Sequence, residues 1–395
     1  MHTKSKEYQR TACGMQGTGG IAQRADAQHT KPKRANWPRL ALVLGLYLCG
    51  GAGHAQVAMR EMQSGNMPIT LLYPTAAVAQ TVERGPWTLQ VAMNAPLLAL
   101  PSPEKRRLVV LSHGTAGSQL PDHDLALTLV RAGFVVAQPL HRGDNYRDFS
   151  KAGPESWRTR PSDVIDTLDA VAHDPALSTQ VNTQRVGVHG MSAGGVTGLA
   201  LAGAQWRMLD LVRHCARNLE DDIGFCLNGL GDKPVQQAMR KAQFMAAKAL
   251  SEDRAPESMK VLEGGRGGSS SSAAADPRPD ARVAAVSLAV PVAAIFTAES
   301  LARIAIPVGL TTAGNDGVLA PRYHSERVLD YCKTCRRLSA HPSAGHFDWL
   351  SPWPAAVAQT VAATQMRGGL PNPQFTPAER QKAFDAIAVF FAQTL

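Results

Sequence analysis

The sequence predicts an α/β fold whose mostly parallel central sheet, of about eight strands, is covered by helices on both faces. Three observations support this prediction. Apolar runs rich in β-branched residues alternate with helical runs along most of the chain, which is typical of parallel strands joined by helices. One such run enters a helix through a serine between two glycines, and an acid and a histidine follow two later runs.

The composition is that of an ordinary globular protein: 395 residues, 44% hydrophobic and 18% charged. A chain of this length buries enough surface to fold without metals or disulfides. The net charge is +9, but residues 1–55 hold eight basic and two acidic residues, so only +3 falls on the rest. The charge therefore does not indicate a nucleic-acid partner, and we expect no cofactor and no metal.

Residues 1–55 read as a signal peptide with a long N-terminal extension. Basic residues precede an apolar run at 40–49, and small residues follow up to Ala55. The run is too short to span a bilayer and suits a signal sequence. An uncleaved membrane anchor and a lipoprotein linked through Cys49 are the alternatives. We expect export in a bacterium, to the periplasm or the medium, with no membrane span after cleavage.

The remaining residues, 56–395, are expected to form one domain. Strands are predicted near residues 69–73, 87–94, 107–112, 135–138, 185–189, 283–289, 307–312 and 337–341. Helices are predicted near residues 124–132, 162–173, 192–204, 322–332 and 377–394. The last begins with Thr376 and Pro377, a capping residue followed by proline in the first helical position.

Residues 205–282 interrupt the alternation of strands and helices. The stretch 205–258 is helical and polar in character, and residues 264–272 are glycine and serine only, apart from Arg266. Such a composition is typical of a flexible linker. We interpret 205–282 as an insertion that forms a cap over the functional site.

Four cysteines follow the leader, and an even number in an exported protein suggests disulfides. Cys215 and Cys226 flank a short polar loop, so we expect them to pair. Cys332 and Cys335 have the Cys-x-x-Cys spacing of redox motifs, but they follow a helix rather than begin one, and a zinc site needs more ligands. A local structural disulfide is the favoured interpretation.

The segment Gly190-Met191-Ser192-Ala193-Gly194 has the Gly-x-Ser-x-Gly pattern of a nucleophile elbow. The turn from strand to helix strains the serine backbone, and side chains at the flanking glycines would collide with their neighbours. The helix that follows directs its free N–H groups at the serine. Ser192 is thus the candidate nucleophile.

Other segments supply partners for this serine. The strand end at His113-Gly114-Thr115 suggests an oxyanion hole made by the N–H groups of Thr115 and Ala193. Asp316 and His346 follow later strands, so the chain order is serine, acid, histidine. The competitors are His341 and His113 for the base, and Asp348 and Asp330 for the acid.

Further polar residues have simpler interpretations. Asp122, His123 and Asp124 resemble a metal site, but we favour a helix N-cap. Arg142 and Asp144 are expected to fix a loop rather than touch substrate, and Trp157 is a candidate for the acyl pocket.

The chain resembles a bacterial branch of the α/β-hydrolases that is dienelactone-hydrolase-like and related to the platelet-activating-factor acetylhydrolases. The resemblance covers roughly residues 66–204 and 283–350. It is carried by Ser112-His113-Gly114, Asp122-His123-Asp124, His141-Arg142-Gly143-Asp144-Asn145, Arg160-Pro161-Ser162-Asp163, the elbow, and Ala344-Gly345-His346-Phe347-Asp348. It implies a serine esterase acting on short acyl esters through an acyl-enzyme.

The sequence departs from these two families in two ways, which limits what the resemblance implies. Dienelactone hydrolases have a cysteine in place of Ser192, and the acetylhydrolases place the triad acid after the sixth strand, where residues 286–291 contain no acid. The acid role therefore falls to Asp316. A serine peptidase on the same fold and a binding protein on a hydrolase scaffold are the alternatives, and the oligomeric state is left open.

The leader interpretation predicts a shortened exported protein. Intact-mass spectrometry of the exported protein should give a chain beginning near Gln56, because signal peptidase cleaves after small residues such as Ala55. A mass that retains residues 1–55 would contradict the predicted localisation.

Overall fold

The computed structural model describes residues 56–227, 234–252, 279–363 and 371–395. Ten strands form one sheet in these residues. In chain order they are β1 Gln56–Ser64, β2 Met67–Thr75, β3 Gln80–Arg84, β4 Trp87–Met93, β5 Arg106–Ser112, β6 Val135–Pro139, β7 Val181–Met191, β8 Val283–Ala289, β9 Val308–Ala313 and β10 Cys335–His341.

The sheet order is β10-β9-β8-β7-β5-β6-β2-β1-β4-β3. The six strands from β10 to β6 are parallel to one another, whereas β2 pairs antiparallel with both β6 and β1. The predicted mostly parallel sheet is therefore confirmed. Parallel strands share one carboxyl edge, so the loops after β5, β7, β9 and β10 come together there.

Helices cover both faces of the sheet. In chain order they are α1 His123–Arg131, α2 Pro154–His173, α3 Ala193–Leu201, α4 Met208–Asn218, α5 Ile223–Cys226, α6 Pro234–Glu252, α7 Ala298–Leu301, α8 Ser325–Tyr331, α9 Ala355–Ala363 and α10 Pro377–Thr394. Short 3-10 helices occupy Leu120–Asp122, Pro321–Tyr323 and His346–Trp349.

The core has two layers, one on each face of the sheet. Alternate residues of a strand point to opposite faces: in β5, Leu108 and Val110 pack with α2 and α3, whereas Val109 and Leu111 pack with α1 and α10. All four are buried. The fully apolar run of β5 follows from burial on both sides.

The N-terminal strands differ from the prediction, since residues 56–93 form four strands rather than two. The missed strands, β1 and β3, carry charged and polar side chains such as Arg60, Glu61 and Glu83. Tight turns at Gly65 and Gly85, both with φ of +58°, pair them with their neighbours. Pairing in a hairpin, rather than an apolar pattern, makes these segments strands.

Helix α2 begins eight residues earlier than predicted. Pro161, which directly precedes the predicted start, lies inside α2, where proline removes one backbone donor. The hydroxyl of Thr159 donates to the Ser156 carbonyl, 3.2 Å away, in the turn just before it. Helix α10 begins as predicted, with the Thr376 hydroxyl accepting from the Glu379 N–H.

Three helices of the 205–282 stretch are described: α4, α5 and α6. The linker at 264–272 and the apolar run at 40–49 lie outside the described residues. Helix α5 lies against the loop after β9, since a Cβ on Gly224 would overlap the Val318 carbonyl. The Asp222 carboxylate accepts from the Ala320 N–H at 3.1 Å. This segment thus supports the loop that holds Asp316.

Asp222 also binds two histidines. His214 Nε2 lies 2.7 Å and His324 Nε2 2.9 Å from the same carboxylate oxygen. Burial alone would raise the pKa of Asp222, but the hydrogen bonds from His214 and His324 hold it below its usual range. Because His324 Nδ1 accepts from the Ala293 N–H at 3.0 Å, this cluster ties α4 and α8 to the chain after β8.

The described residues contain two disulfides. Cys215 and Cys226 join the ends of α4 and α5, and Cys332 and Cys335 bridge α8 to β10. In the described part of the chain, no helix is long and apolar enough to cross a membrane.

The Cys215–Cys226 bridge should contribute more stability than the Cys332–Cys335 bridge, because it closes the longer loop. In Cys215→Ala/Cys226→Ala the free energy of unfolding should be about 2–3 kcal/mol lower than in the wild type, and the Tm should be lower by a few degrees. Calorimetry without reductant measures this. Cys332→Ala/Cys335→Ala is the matched control, and an equal or larger loss there would contradict the prediction.

Candidate active site

Ser192 lies at the junction of β7 and α3 in a strained backbone conformation, with φ +56° and ψ −116°. Its N–H donates to the Ala289 carbonyl at 3.1 Å, and its carbonyl accepts from the N–H groups of Gly195 and Val292, both at 2.9 Å. The end of the neighbouring strand β8, the helix after Ser192 and the segment beyond β8 thus all fix this residue. Such strain persists where surrounding contacts impose it.

The glycines of the elbow are required by close packing. A Cβ on Gly190 would overlap the Gly194 carbonyl, and a Cβ on Gly194 would overlap the Ser112 carbonyl. Gly195, which the sequence analysis did not single out, has the same constraint against Pro291. Only residues without a side chain fit these three positions.

The structure brings Ser192, His346 and Asp316 together. His346 Nε2 lies 3.0 Å from Ser192 Oγ, and His346 Nδ1 lies 2.8 Å from Asp316 Oδ2. All three residues are mostly buried, with Ser192 9% exposed and His346 2% exposed. Ser192 follows β7, Asp316 follows β9 and His346 follows β10, so three strand ends supply the three side chains.

Backbone donors orient the Asp316 carboxylate. Its Oδ1 accepts from the N–H groups of Val318 and Leu319, both at 2.8 Å, which leaves Oδ2 for His346. The competing acid Asp348 is bound instead to the N–H groups of Gly345 and Asn372, and Asp330 is exposed on α8.

The competing histidines are also engaged elsewhere. His341 packs edge-on against Trp349 and Phe375, with ring centroids 5.3 Å apart in both pairs. His113 Nδ1 lies 2.8 Å from the Gly114 carbonyl, and His113 Nε2 accepts from the His141 N–H at 3.2 Å. These contacts fix both ring nitrogens of His113 in the loop after β5.

The predicted oxyanion donors lie on two sides of Ser192. Ala193 is the first residue of α3, and Thr115 belongs to the loop after β5. That loop lies against the nucleophile, since a Cβ on Gly114 would be 3.4 Å from the Cβ of Ser192. Within the described residues neither the Thr115 nor the Ala193 N–H has a hydrogen-bond acceptor.

A second hydrogen-bonded Ser-His-Asp chain, which sequence reasoning missed, begins at Ser112, whose carbonyl lies against Gly194 of the elbow. Ser112 Oγ is 2.8 Å from His141 Nε2, and His141 Nδ1 is 3.0 Å from Asp163 Oδ2. All three residues are at most 2% exposed, and burial lowers the pKa of His141 well below its usual range. The only sequence signal was that all three lie in the segments that carry the family resemblance.

Asp122 does not cap α1 as expected: it occupies the N-cap position without a side-chain hydrogen bond to the helix. The carboxyl is 4% exposed, and burial raises its pKa to about 7. Among the residues that the structure describes, no three His, Cys, Asp or Glu side chains group as metal ligands.

The aromatic side chain of Trp157 is 6% exposed and stacks on Phe225 at a centroid distance of 6.2 Å, with Trp206 edge-on at 5.7 Å. Its indole N–H has no partner in the described ranges. The three rings join α2 to the segment that follows α3.

Comparison with known proteins agrees with this fold. Residues 122–209, which include the elbow, match the prolyl oligopeptidase family. The structure is similar to a solved ferulic acid esterase from Streptomyces cinnamoneus, at 17% sequence identity and a TM-score of 0.52, over 87% of this chain and 91% of that chain. No curated protein gives a significant match to the sequence.

The chain therefore has the α/β-hydrolase fold, and the resemblance to that superfamily stated from the sequence is confirmed. The structural likeness shows the fold alone, and the family match, which covers only residues 122–209, agrees with a hydrolase on that fold.

The buried Asp122 predicts a pH-dependent stability. Its pKa is raised in the folded state, so the native protein binds this proton more tightly than the unfolded chain, and stability falls as pH rises from about 4 to about 7. Between pH 5 and pH 8, ionisation of this carboxyl should lower the free energy of unfolding by about 2–3 kcal/mol. Asp122→Asn should remove that part of the decrease.

Urea unfolding of both proteins at several pH values between 5 and 8 measures the difference. The wild-type curve should descend more steeply than that of Asp122→Asn. Parallel curves would show that the carboxyl is ionised in the folded state, contrary to this assignment.

Proposed function

We propose that the protein is a serine carboxylic-ester hydrolase that works through an acyl-enzyme. The single observation that carries this proposal is the continuous hydrogen-bonded chain from Ser192 Oγ through His346 to Asp316. A hydroxyl, an imidazole and a carboxylate in this order form the arrangement that activates serine for acyl transfer.

In the proposed first step, Ser192 Oγ bonds to the ester carbonyl carbon while its proton passes to His346 Nε2. Asp316 accepts from His346 Nδ1 and stabilises the imidazolium that forms. As the tetrahedral intermediate collapses, the bond to the leaving alcohol breaks and His346 returns the proton to the alcohol oxygen. A water molecule then bonds to the acyl carbon while His346 takes its proton. The bond from that carbon to Ser192 Oγ breaks, His346 returns the proton to Oγ, and the carboxylic acid is released.

The negative oxygen of each tetrahedral intermediate requires donors. We assign this role to the N–H groups of Thr115 and Ala193, the second of which also lies at the N-terminus of α3. Loss of one such donor typically lowers kcat about a hundred- to a thousandfold. The mechanism needs neither a cofactor nor a metal ion.

The substrate we propose is a small ester with a short acyl chain, as the family resemblance implies. The likeness to an esterase is consistent with ester chemistry. Trp157, whose ring packs against Trp206 and Phe225, is the proposed lining residue of the acyl pocket. We place the protein outside the cytoplasm, because its two disulfides persist in oxidising compartments.

A serine peptidase is the second candidate, and the match of residues 122–209 to the prolyl oligopeptidase family favours it. The same three residues would attack an amide, with the amine as leaving group. A non-catalytic binding protein is disfavoured, because such a protein has no need to keep the serine, histidine and acid in hydrogen-bonded order.

Ser192→Ala should abolish hydrolysis of p-nitrophenyl butyrate and labelling by a fluorophosphonate probe, while circular dichroism shows an intact fold. The physical reason is that the probe reacts only with an activated hydroxyl. Ser112→Ala is the matched control: it removes the other serine of a Ser-His-Asp chain, and labelling should persist, since Ser112 is 1% exposed.

An acyl-length series of p-nitrophenyl esters, run beside aminoacyl and prolyl p-nitroanilides, separates the two candidates. Turnover highest for acetyl or butyryl esters supports the esterase. Faster turnover of an anilide supports the peptidase, and labelling that survives Ser192→Ala would place the nucleophile elsewhere.

A further inference from the structure

We propose that the buried pair Arg160 and Asp144 is a positioning device that aims the oxyanion-hole N–H of Thr115 at the reacting carbonyl. The inference rests on the proposed function, because it assigns these residues a part in that reaction. It concerns residues that touch no substrate and act through the loop after β5.

Arg160 projects from α2 and binds two successive carbonyls of that loop. Its Nη1 donates to the His113 carbonyl at 2.5 Å, and its Nη2 donates to the Gly114 carbonyl at 3.0 Å. The side chain is 0% exposed. A planar guanidinium with several fixed donors can hold both carbonyls at once, which an ammonium group cannot do.

The direction of the oxyanion donor follows from peptide geometry. The Gly114–Thr115 peptide bond is trans, and in a trans peptide the carbonyl and the following N–H point in opposite directions. Since the Gly114 carbonyl faces Arg160, the Thr115 N–H faces away from it. Gly114 itself lies against Ser192, and we infer that the Thr115 N–H points to the side of the nucleophile.

Asp144 completes the clamp from the other end of the turn. Its Oδ1 accepts from the Ala116 N–H at 2.7 Å, and its Oδ2 accepts from Arg160 Nε at 3.0 Å and Nη2 at 2.8 Å. The Ser156 hydroxyl adds a bond to Oδ2 at 2.6 Å. Ala116 has φ of +51°, a conformation that non-glycine residues adopt only when their surroundings impose it.

A role in geometry also explains why the pair is buried. Taking a guanidinium and a carboxylate out of water is costly, and buried ion pairs often add little net stability. Here the two charges instead bind three residues of one loop, His113, Gly114 and Ala116, on both sides of Thr115. A pair that served only to stabilise the domain would not need to contact the donor loop at each of these positions.

Arg160→Lys tests the proposal. Lysine keeps the charge opposite Asp144 but can no longer hold both carbonyls, so kcat for p-nitrophenyl butyrate should fall about 10- to 100-fold with KM changed less than about threefold. Affinity for a boronic acid, whose adduct with Ser192 places an oxygen in the oxyanion hole, should fall by a similar factor. If the pair had only a structural role, the folded variant would keep both the kcat and the boronate affinity of the wild type.

Two further variants keep the test decisive. Asp144→Asn removes the negative charge that holds the Arg160 guanidinium, so it should also lower kcat. If Arg160→Lys does not fold, the kcat of Asp144→Asn tests the positioning role. Val171→Ala, which truncates a buried residue at the other end of α2, controls for stability. It should lower Tm and leave kcat near the wild-type value.

The outcomes separate the two proposals. A wild-type protein that neither hydrolyses esters nor reacts with the fluorophosphonate overturns the proposed function and this inference with it. An active wild-type protein whose folded Arg160→Lys and Asp144→Asn variants keep kcat within about twofold, with unchanged boronate affinity, overturns the positioning role alone.

Discussion

The close contact between strand β7 and helix α3 is the constraint on which the site depends. The chain can reverse there only if Gly190, Gly194 and Gly195 leave room for the neighbouring backbone, and only if Ser192 accepts a left-handed conformation. Of the four non-glycine residues with positive φ in the described ranges, Ser192 lies at this contact, and Ala116 and Val290 lie in the loops after β5 and β8, the strands on either side of β7. Strain is thus concentrated where the surrounding backbone can impose it.

The parallel sheet brings the remaining groups to the elbow. The loop that contains Thr115 follows β5, Asp316 follows β9 and His346 follows β10. These elements are far apart along the chain, and their side chains meet because parallel strands end at one edge. The segment that contains α5 then supports the acid loop through Asp222 and Gly224, although it lies within the insertion.

The sequence was sufficient where local pattern and tertiary environment agree. The apolar runs of β5 and β8 and the cap of α10 were predicted closely. Buried strands and helix caps each require particular residue types, and these can be recognised in the sequence. The strand β1 and the first turns of α2 were missed, since hairpin pairing and tertiary contacts around Pro161 override the local signal. The Arg160 clamp was missed for the same reason: a buried charge has no periodic pattern, and its partners are distant in sequence.

The two Ser-His-Asp chains show why geometry alone does not define a reactive serine. Both have a hydroxyl within 3.0 Å of an imidazole that contacts a carboxylate. Ser112, however, ends strand β5 with its carbonyl packed against Gly194, whereas Ser192 is lifted beyond its strand by the elbow. In the proposed mechanism, only Ser192 presents its oxygen where an ester carbonyl can reach both the hydroxyl and the N–H donors. The Ser112 hydroxyl, in contrast, is 1% exposed and bonded to His141 inside the domain.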